Sequence, residues 1–419
     1  MTSPADMRRR LALRCYLAAT HLIPLVARPV LRRRLNRGKE HPARWREKLA
    51  KGLAPRPAGR LIWLHAVGLG EVLSVRGLID RLAKLNPDLS FLVTSTTVTS
   101  AEVFAKHLPP RTLHQFLPLD APSYRKRFLD HFAPDLCVWV EQDLWPGMVS
   151  DLAARGIPQA LVAARMNARS YRSHQKVASL YRDLYGAMAM VTGQDAATAS
   201  HLAALGAGAQ VTGSLKPSAP RLSCDKAELN RLRDALANRR IWTVAPAHPE
   251  DIALARAAHE KLCEADPLAL LIIAPRNPDA EITIDAPRRS RGGVPGLEDA
   301  IWICDTFGDM GLIYRLAKVA LIGGTFTDIE GHNPWEAAAL GCAILHGPRT
   351  AHFAADYAGL DAANGAAIVK TAADIVQALT SAELPQMATN AAKAIAAAGQ
   401  QTDALASDLL QVLKAAHDR

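Results

Sequence analysis

Short apolar runs, each followed by a turn and an amphipathic stretch, recur along most of the chain. Runs without polar alternation are typical of strands buried on both faces, and their alternation with helical stretches predicts parallel, doubly wound sheets. Two series of runs occur, one on each side of a charged helix predicted at residues 226–238. The predicted strands are Leu61–Val67, Phe91–Thr94, Leu136–Val140, Ala160–Ala163, Val191–Thr192 and Gln210–Lys216 in the first series, and Ile241–Ala245, Leu268–Ala274, Ile301–Cys304, Val319–Ile322 and Ala343–His346 in the second.

A chain of 419 residues is long enough for two domains. We predict an α/β architecture with an N-terminal segment at residues 1–48, a Rossmann-like domain at 49–216 and a second Rossmann-like domain at 217–419. In chains of this layout a ligand is expected in the cleft between the two domains.

The net charge of +10 is concentrated at one end of the chain. Residues 1–60 hold 16 Lys and Arg against three Asp and Glu, a net charge of +13, which leaves −3 for the rest. The body of the protein therefore lacks the basic character of a nucleic-acid binder. Six scattered cysteines without a CxxC pair argue against a disulfide framework or a zinc site.

The N-terminal segment contains a largely apolar stretch, Leu11–Leu31, that is interrupted by Arg14, Arg28 and two prolines. Interior arginines are costly in a membrane-spanning helix, and no small-residue cleavage site of a signal peptide follows the stretch. We therefore predict a helix that lies on an anionic membrane surface, on the cytoplasmic side. A true span and a soluble helix are the alternatives.

The stretch Val319–Gly341 carries the most marked strand-loop-helix signal. A strand and a Gly-Gly turn lead to Asn333 as N-cap, Pro334 in the first helical position and Glu336 in the place of a capping-box acid. A helix N-terminus here would offer N–H groups to a ligand, and Glu336 would accept hydrogen bonds from sugar hydroxyls. An ordinary β-loop-α connection is the structural alternative.

The first series also carries charged residues at predicted strand ends. Glu71 follows the turn Gly68-Leu69-Gly70 at the start of a helix, where the helix dipole favours an ionised carboxylate suited to a general base. A partner of the helix dipole without chemistry is the alternative. Glu141 and Asp143 follow a buried strand, and Lys216 lies at the tip of the last one. Walker A, serine-elbow, dinucleotide and metal-spaced histidine motifs do not occur in the sequence.

Six short motifs, in the same order, make the chain resemble the 3-deoxy-D-manno-octulosonic acid (Kdo) transferases over about residues 5–400. The motif Gly-His-Asn-x-x-Glu is matched in full by residues 331–336. The other five are similar: His-Ala-x-Ser-Val-Gly-Glu to residues 65–71, Glu-x-Glu-Leu-Trp-Pro to 141–146, Gly-Asn-Leu-Lys to 213–216, Pro-Arg-His-Pro to 275–278 and Thr-Met-Gly-Glu to 306–309.

The resemblance implies a GT-B fold and an inverting, metal-independent transfer of Kdo from CMP-Kdo to a lipid A precursor in lipopolysaccharide biosynthesis, without a cofactor. It also implies an enzyme on the cytoplasmic face of the bacterial inner membrane. Glu71 would be the general base, with Glu141 and Lys216 in transition-state roles. The residues implied in CMP binding are Pro275, Arg276, Phe307, Gly308, Asp309, Asn333, Pro334, Trp335 and Glu336.

Several positions depart from the family motifs, among them Gly68, Asp143 and Gly147 in the first domain. These departures leave three alternatives open. One is a paralogue that uses another lipid-linked acceptor or acid-sugar donor. The second is a GT-B-fold sugar-nucleotide epimerase, and the third is a non-catalytic relative that binds sugar nucleotide or lipid.

Overall fold

The computed structural model describes residues 4–418, and for residues 4–10, 69 and 417 it describes the backbone alone. Within this part of the chain there are two compact units. The first runs to Pro220 and takes in the chain again from Gly399, and the second lies between them. Each unit is built on its own parallel sheet, as the alternation of apolar runs and helical stretches predicts.

The first unit contains a seven-stranded parallel sheet whose central strands are buried along their whole length. Its strands are β1 (Leu61–His65), β2 (Ser90–Ser95), β3 (Thr112–Phe116), β4 (Leu136–Val140), β5 (Gln159–Ala164), β6 (Met190–Gly193) and β7 (Gln210–Val211). Their order in the sheet is β3-β2-β1-β4-β5-β6-β7. The direction of strand addition therefore reverses between β1 and β4.

Helices cover both faces of this sheet and bury two apolar clusters against it. They are α1 (Pro4–Thr20), α2 (Ile23–Asn36), α3 (Leu69–Leu85), α4 (Val98–Lys106), α5 (Pro122–Phe132), α6 (Pro146–Ala154), α7 (Ala168–Gln175), α8 (Ala178–Gly186) and α9 (Ala196–Ala204).

The second unit repeats the arrangement with a six-stranded parallel sheet. Its strands are β8 (Ile241–Ala247), β9 (Leu270–Pro275), β10 (Ile301–Ile303), β11 (Val319–Ile322), β12 (Ala343–His346) and β13 (Ala366–Ile368). Their order is β10-β9-β8-β11-β12-β13, so the reversal lies between β8 and β11. The helices are α10 (Lys226–Ala235), α11 (Pro249–Ala265), α12 (Met310–Leu316), α13 (Trp335–Ala338), α14 (Ala354–Ala362), α15 (Ala372–Thr380) and α16 (Leu384–His417).

The last helix, α16, contributes to both units. Leu405, Leu409 and Leu413 are spaced four residues apart, so they share one face of the helix, and all three are buried. They belong to the same apolar cluster as Ile79 and Leu82 of α3. This packing explains why the chain from residue 399 belongs to the first unit, whereas the sequence analysis assigned all of residues 217–419 to the second domain.

The N-terminal segment forms two helices, and Leu11–Thr20 is bent by 60° from Ile23–Asn36. Among the described residues no single helix is long and apolar enough to cross a membrane, and this bent pair passes that test only when its two helices are taken together. α2 buries Ala27 and Leu31 in the core of the first unit. On its other side Leu25, Val26 and Val30 are 74 %, 57 % and 51 % exposed.

Candidate active site

The first candidate site residues lie where the strand order of the first sheet reverses. In doubly wound sheets, ligands bind outside the carboxyl ends of the strands at this point. β1 and β4 are hydrogen-bonded neighbours. Glu71 lies in the first turn of α3, which follows β1, and Glu141 is the residue directly after β4. The topology therefore brings two carboxylates, separated by 70 residues in the chain, to one edge of the sheet.

Glu71 is a partly buried carboxylate at the N-terminus of a helix. Its Oε2 accepts hydrogen bonds from the backbone N–H groups of Val67 at 2.9 Å and Gly68 at 3.2 Å. Burial and the neighbouring charge of Glu141 raise the pKa of Glu71, against the lowering effects of those two N–H groups and of Lys216. The net direction is opposite to the one expected from the helix dipole alone, because the dipole is local whereas the burial comes from the folded unit.

Glu141 lies between two cations and has a strained backbone. Its Oε1 accepts a hydrogen bond from Lys216 Nζ at 2.9 Å, and its Oε2 lies 4.0 Å from Arg165 Nε. Glu141 has φ = 61°, in the left-handed region that non-glycine residues rarely adopt. Backbone strain of this kind persists only where the surrounding structure holds it, and it is concentrated at functional sites.

Asp143, two residues further on, belongs to a hydrogen-bonded chain. His65 Nε2 lies 3.0 Å from Asp143 Oδ2, and His65 Nδ1 lies 2.8 Å from Thr94 Oγ1. A carboxylate can only accept, so a neutral His65 donates from Nε2 and accepts from the Thr94 hydroxyl at Nδ1. Burial raises the pKa of Asp143, but the hydrogen bonds from His65 and Trp145 outweigh it and hold the pKa below its usual value.

In the second unit, the same topological position is formed by the ends of β8 and β11, which are neighbours. The turn after β11 is tight, since a Cβ on Gly323 would lie 1.9 Å from the carbonyl oxygen of Pro246. Asp251 Oδ2 accepts the N–H groups of Gly324 and His248, each at 2.8 Å, and thereby ties this turn to the start of α11. The glycine turn is thus a fixed part of the strand edge.

Two histidines meet at this edge. His248 follows β8 and His332 follows β11, and their rings are nearly parallel, with an interplanar angle of 5°. Their Nε2 atoms are 2.8 Å apart, so one ring donates and the other accepts. Burial, followed by the positive charges of His248, Arg276 and His352, lowers the pKa of His332 to about 4. Arg276, which follows β9, therefore lies close enough to His332 to add positive charge to this edge of the second sheet.

The predicted helix after Asn333 is shorter than expected. α13 is a single turn that ends at Ala338, and Gly341, with φ = 92°, precedes β12, which starts at Ala343 as predicted. A capping box does not form. Instead, Asn333 Oδ1 accepts the N–H of Trp335 at 3.1 Å, and its side-chain amide donates to Glu336 Oε1 at 3.4 Å. One turn is too short to act as an anion-binding helix, so the Glu336 side chain is the group of interest in this stretch.

Glu336 is partly buried, and burial raises its pKa. Trp335, next to it, is buried, and its Nε1 donates to Asp356 Oδ1 at 2.7 Å. That bond anchors the α13 turn, which begins after Pro334, to α14. The turn therefore holds the Glu336 carboxyl in a fixed, desolvated position.

The remaining residues that were predicted to bind CMP follow β9 and β10. The backbone N–H of Arg276, next to Pro275, donates to Ala247 O at 2.8 Å. Phe307 is 81 % exposed, and Gly308 has φ = 94°. The carboxylate of Asp309 accepts hydrogen bonds from Arg289 Nε at 2.7 Å and from the Thr306 hydroxyl at 2.5 Å. The Asp309 carboxylate is thus engaged within the unit, while the Phe307 ring is open to a ligand.

Sequence reasoning missed three contributors to these clusters: the His248–His332 pair, Arg289 and the part played by Arg165. The histidine pair had a usable signal, because each histidine follows a predicted strand. What was lacking was the adjacency of β8 and β11, which the fold supplies. Among the side chains that the structure describes, no group of three or more His, Cys, Asp or Glu is arranged to hold a metal ion. The prediction of a metal-independent reaction remains a prediction.

Known proteins resemble this chain over most of its length. The family model described as 3-deoxy-D-manno-octulosonic-acid transferase (kdotransferase) matches residues 43–219. The probable mitochondrial 3-deoxy-D-manno-octulosonic acid transferase of Arabidopsis thaliana is 32 % identical over 360 residues, covering 81 % of this chain and 80 % of that protein. The 3-deoxy-D-manno-octulosonic acid transferase of Rickettsia bellii is 32 % identical over 325 residues, covering 75 % and 77 %.

The fold has a counterpart among solved structures. The crystal structure of a glycosyltransferase from Rickettsia africae matches with a TM-score of 0.55 at 11 % identity, covering 85 % of this chain and 98 % of that one. At this identity the likeness shows the GT-B-like fold alone. From the relatives that match in sequence, the chain belongs to the 3-deoxy-D-manno-octulosonic acid transferase family of glycosyltransferases.

Proposed function

We propose that this enzyme transfers Kdo from CMP-Kdo to a lipid A precursor by an inverting mechanism in which Glu71 is the general base. The observation that carries the proposal is the cluster of Glu71, Glu141 and Lys216 at the strand edge of the first unit. Three residues from different parts of the chain converge there, and their charges act on one another. Family membership supports the choice of the transferred sugar.

In the proposed reaction, Glu71 removes one proton from the acceptor hydroxyl. The acceptor hydroxyl attacks the anomeric carbon of Kdo, the bond from that carbon to the CMP phosphate breaks, and Glu71 takes the hydroxyl proton. A base works best when its pKa lies near the working pH, and an ordinary glutamate is too acidic for that. Burial and the Glu141 charge shift the pKa of Glu71 in the required direction.

Lys216 and Glu141 would together stabilise the negative charge that develops on the departing CMP. The departing CMP carries its negative charge on phosphate, and the Lys216 ammonium group is a suitable partner for it. Glu141 holds Lys216 Nζ through the 2.9 Å contact, and both side chains are largely buried, at 13 % and 10 % exposure. Because the environment is desolvated, the charge of Lys216 acts more strongly there than it would in water.

The second unit would bind the nucleotide. Glu336 accepts hydrogen bonds from the ribose hydroxyls, in the role that an acidic residue has in dinucleotide folds. Arg276 supplies positive charge near His332, and Pro275 and the 333–335 segment form part of the proposed nucleotide site. The exposed ring of Phe307 and the turn at Gly308 and Asp309 are the other proposed CMP contacts.

The variant Glu336→Gln is expected to bind CMP roughly 10-fold more weakly, because a hydrogen bond to a charged group contributes about 1.5 kcal/mol or more. Glutamine keeps the shape of the side chain, so the effect reports on hydrogen bonding to the ligand. Titration calorimetry with CMP measures it. Glu383→Gln, at an exposed position of the same unit, is the control and should bind like wild type. An unchanged affinity of Glu336→Gln for CMP would show that Glu336 does not bind the ribose hydroxyls.

We further propose that the enzyme works on the cytoplasmic face of the bacterial inner membrane, held there by α2. This helix exposes apolar side chains, and it carries Arg28, Arg32, Arg33 and Arg34. An apolar face bordered by arginines is typical of a helix on an anionic lipid surface. Such a position gives access to an acylated, anionic acceptor.

The double variant Arg32→Gln with Arg33→Gln is expected to bind anionic vesicles roughly 30-fold more weakly, since each basic residue near such a surface contributes about 1 kcal/mol. Vesicle co-sedimentation at low ionic strength measures the change, and added salt should reduce the difference. The control is Lys393→Gln with Lys414→Gln, which removes the same charge from exposed positions of α16. Equal losses in both pairs would mean that binding follows net charge rather than α2.

The function itself is tested by incubating the full-length protein with CMP-Kdo and tetra-acylated lipid A precursor. We expect CMP release together with a lipid whose mass has risen by one or more Kdo residues. CMP-Kdo binding without a product would overturn the proposed reaction and favour another acceptor or a binding protein.

A further inference from the structure

A cavity of about 510 Å³ lies in the first unit between α2 and the ends of the central strands. Ile23, Ala27 and Leu31 line it from α2, and Leu117 and Leu119 line it from the chain that follows β3. Its volume lies in the range of small-molecule binding sites. Most of the lining is hydrocarbon, which points to an apolar occupant.

The inner end of the cavity reaches the strand edge that carries the proposed base. Val67, Asp143 and Trp145 line this end. The backbone N–H of Val67 donates to the carboxylate of Glu71 at 2.9 Å. The inner end of an occupant would therefore lie next to Val67, whose N–H group contacts Glu71, the proposed acceptor of the hydroxyl proton.

The outer end opens on the exposed apolar side of α2. Val26 and Val30 line the cavity, and yet they are 57 % and 51 % exposed. This is the side of the helix that we expect to face lipid. An acyl chain could thus extend from the membrane surface to the strand edge in contact with the apolar side chains that line the cavity.

The charged groups that line the cavity already have partners within the protein. Glu40 accepts from Arg34 and from Lys48, each at 2.5 Å. The Asp143 carboxylate accepts from His65 and Trp145, each at 3.0 Å. Polar groups that are satisfied internally gain little from a polar ligand, and a nucleotide or sugar in the cavity would lose its hydration without replacement.

We propose that this cavity binds one acyl chain of the lipid acceptor, an inference that rests on the proposed function. Arg28, Arg32 and Arg33 of α2, in a stretch without acidic residues between positions 11 and 39, complement an anionic head group at the cavity mouth. A chain held at a fixed depth also holds the attached sugar at a fixed distance from Glu71. The cavity therefore positions the acceptor hydroxyl for attack.

The test fills the mouth of the cavity and compares two acceptors. Val30→Trp is assayed in detergent micelles with tetra-acylated lipid A precursor and with the same precursor stripped of its acyl chains. We expect KM for the acylated acceptor to rise roughly 10-fold or more and KM for the stripped acceptor to stay unchanged, because a hydrophobic pocket discriminates through its occupied volume. Val177→Trp, the same change at an exposed position of the first unit outside the lining and away from α2, should change neither. Equal effects on both acceptors, or no effect, would overturn the proposal.

A second measurement reads binding without turnover. A precursor with a diazirine at the acyl terminus is photolysed with the protein, and the adducts are mapped by mass spectrometry. We expect adducts on α2 and around Leu117 that are lost in Val30→Trp and kept in Val177→Trp. Adducts confined to other surfaces would overturn the acyl-chain assignment. A protein that transfers no Kdo but shows the expected adducts would overturn the proposed function and leave the lipid site standing.

Discussion

The variant Glu71→Gln is expected to lower kcat for Kdo transfer roughly 10²-fold to 10⁴-fold, the usual contribution of a positioned general base. Glutamine has nearly the same shape, and its carbonyl can still accept an N–H group from Val67 or Gly68. The fold of the first unit should therefore be retained, while the proton acceptor is lost. Because the proposed nucleotide ligands lie in the second unit, KM for CMP-Kdo should change little.

The measurement is steady-state CMP release at saturating donor, with circular dichroism to check the fold. Glu102→Gln is the matched control, since it makes the same chemical change at an exposed position of α4 in the same unit. It should behave as wild type. Undiminished transfer by Glu71→Gln would show that another group takes the proton.

Replacing Lys216 by Met is expected to lower kcat roughly 10²-fold to 10³-fold, the usual loss on removal of a group that stabilises transition-state charge. Methionine has a similar length and no charge. The substitution removes the cation proposed for the departing phosphate and also breaks the 2.9 Å contact with Glu141. A largely buried carboxylate without this ion pair is costly, so we also expect a lower urea midpoint of unfolding.

Lys176→Met is the control for this variant, because Lys176 is an exposed lysine of the same unit. It should keep both the rate and the midpoint of wild type. A Lys216→Met enzyme with a lower midpoint and a wild-type kcat would reduce Lys216 to a structural partner of Glu141.

The fold was largely predictable because its strands are continuous apolar runs. Leu136–Val140 and Val319–Ile322 form strands with the predicted bounds. β3 was not predicted, since His114 and Gln115 interrupt its apolar pattern. Both side chains are buried. The fold provides their partners, among them the Arg44 guanidinium near His114 Nδ1 at 3.1 Å.

The candidate site was predictable residue by residue but not in its electrostatics. Motif resemblance singled out Glu71, Glu141 and Lys216, and the adjacency of β1 and β4 explains why the two carboxylates converge. Lys216 follows the edge strand β7, and the segment after that strand brings it back to Glu141. The direction of the pKa shift of Glu71 was not accessible from the sequence. Burial and a charge that lies 70 positions away along the chain determine it, and both depend on the folded unit.

The same limit applies in the second unit. A capping pattern at Asn333 and Glu336 predicted a longer helix than the single turn observed, although β12 starts at the predicted residue, Ala343. The hydrogen-bonded His248–His332 pair arises from the adjacency of β8 and β11. Local sequence signals specify turns and caps, whereas contacts between elements require the topology.

The central claim is that Glu71 is the base and that the charges of Glu141 and Lys216 set its pKa. The ionised form of Glu71 is the active one, so the rate should fall as the pH drops through a pKa that lies above the usual glutamate value. Removing the negative charge in Glu141→Gln should lower that pKa, and removing the positive charge in Lys216→Met should raise it.

The measurement that tests this claim most directly is the pH dependence of kcat/KM for the wild type and these two variants. The acid limb should move to lower pH in Glu141→Gln and to higher pH in Lys216→Met. An acid limb at the same pH in all three enzymes would contradict the account, because the group that titrates would then not sense the cluster.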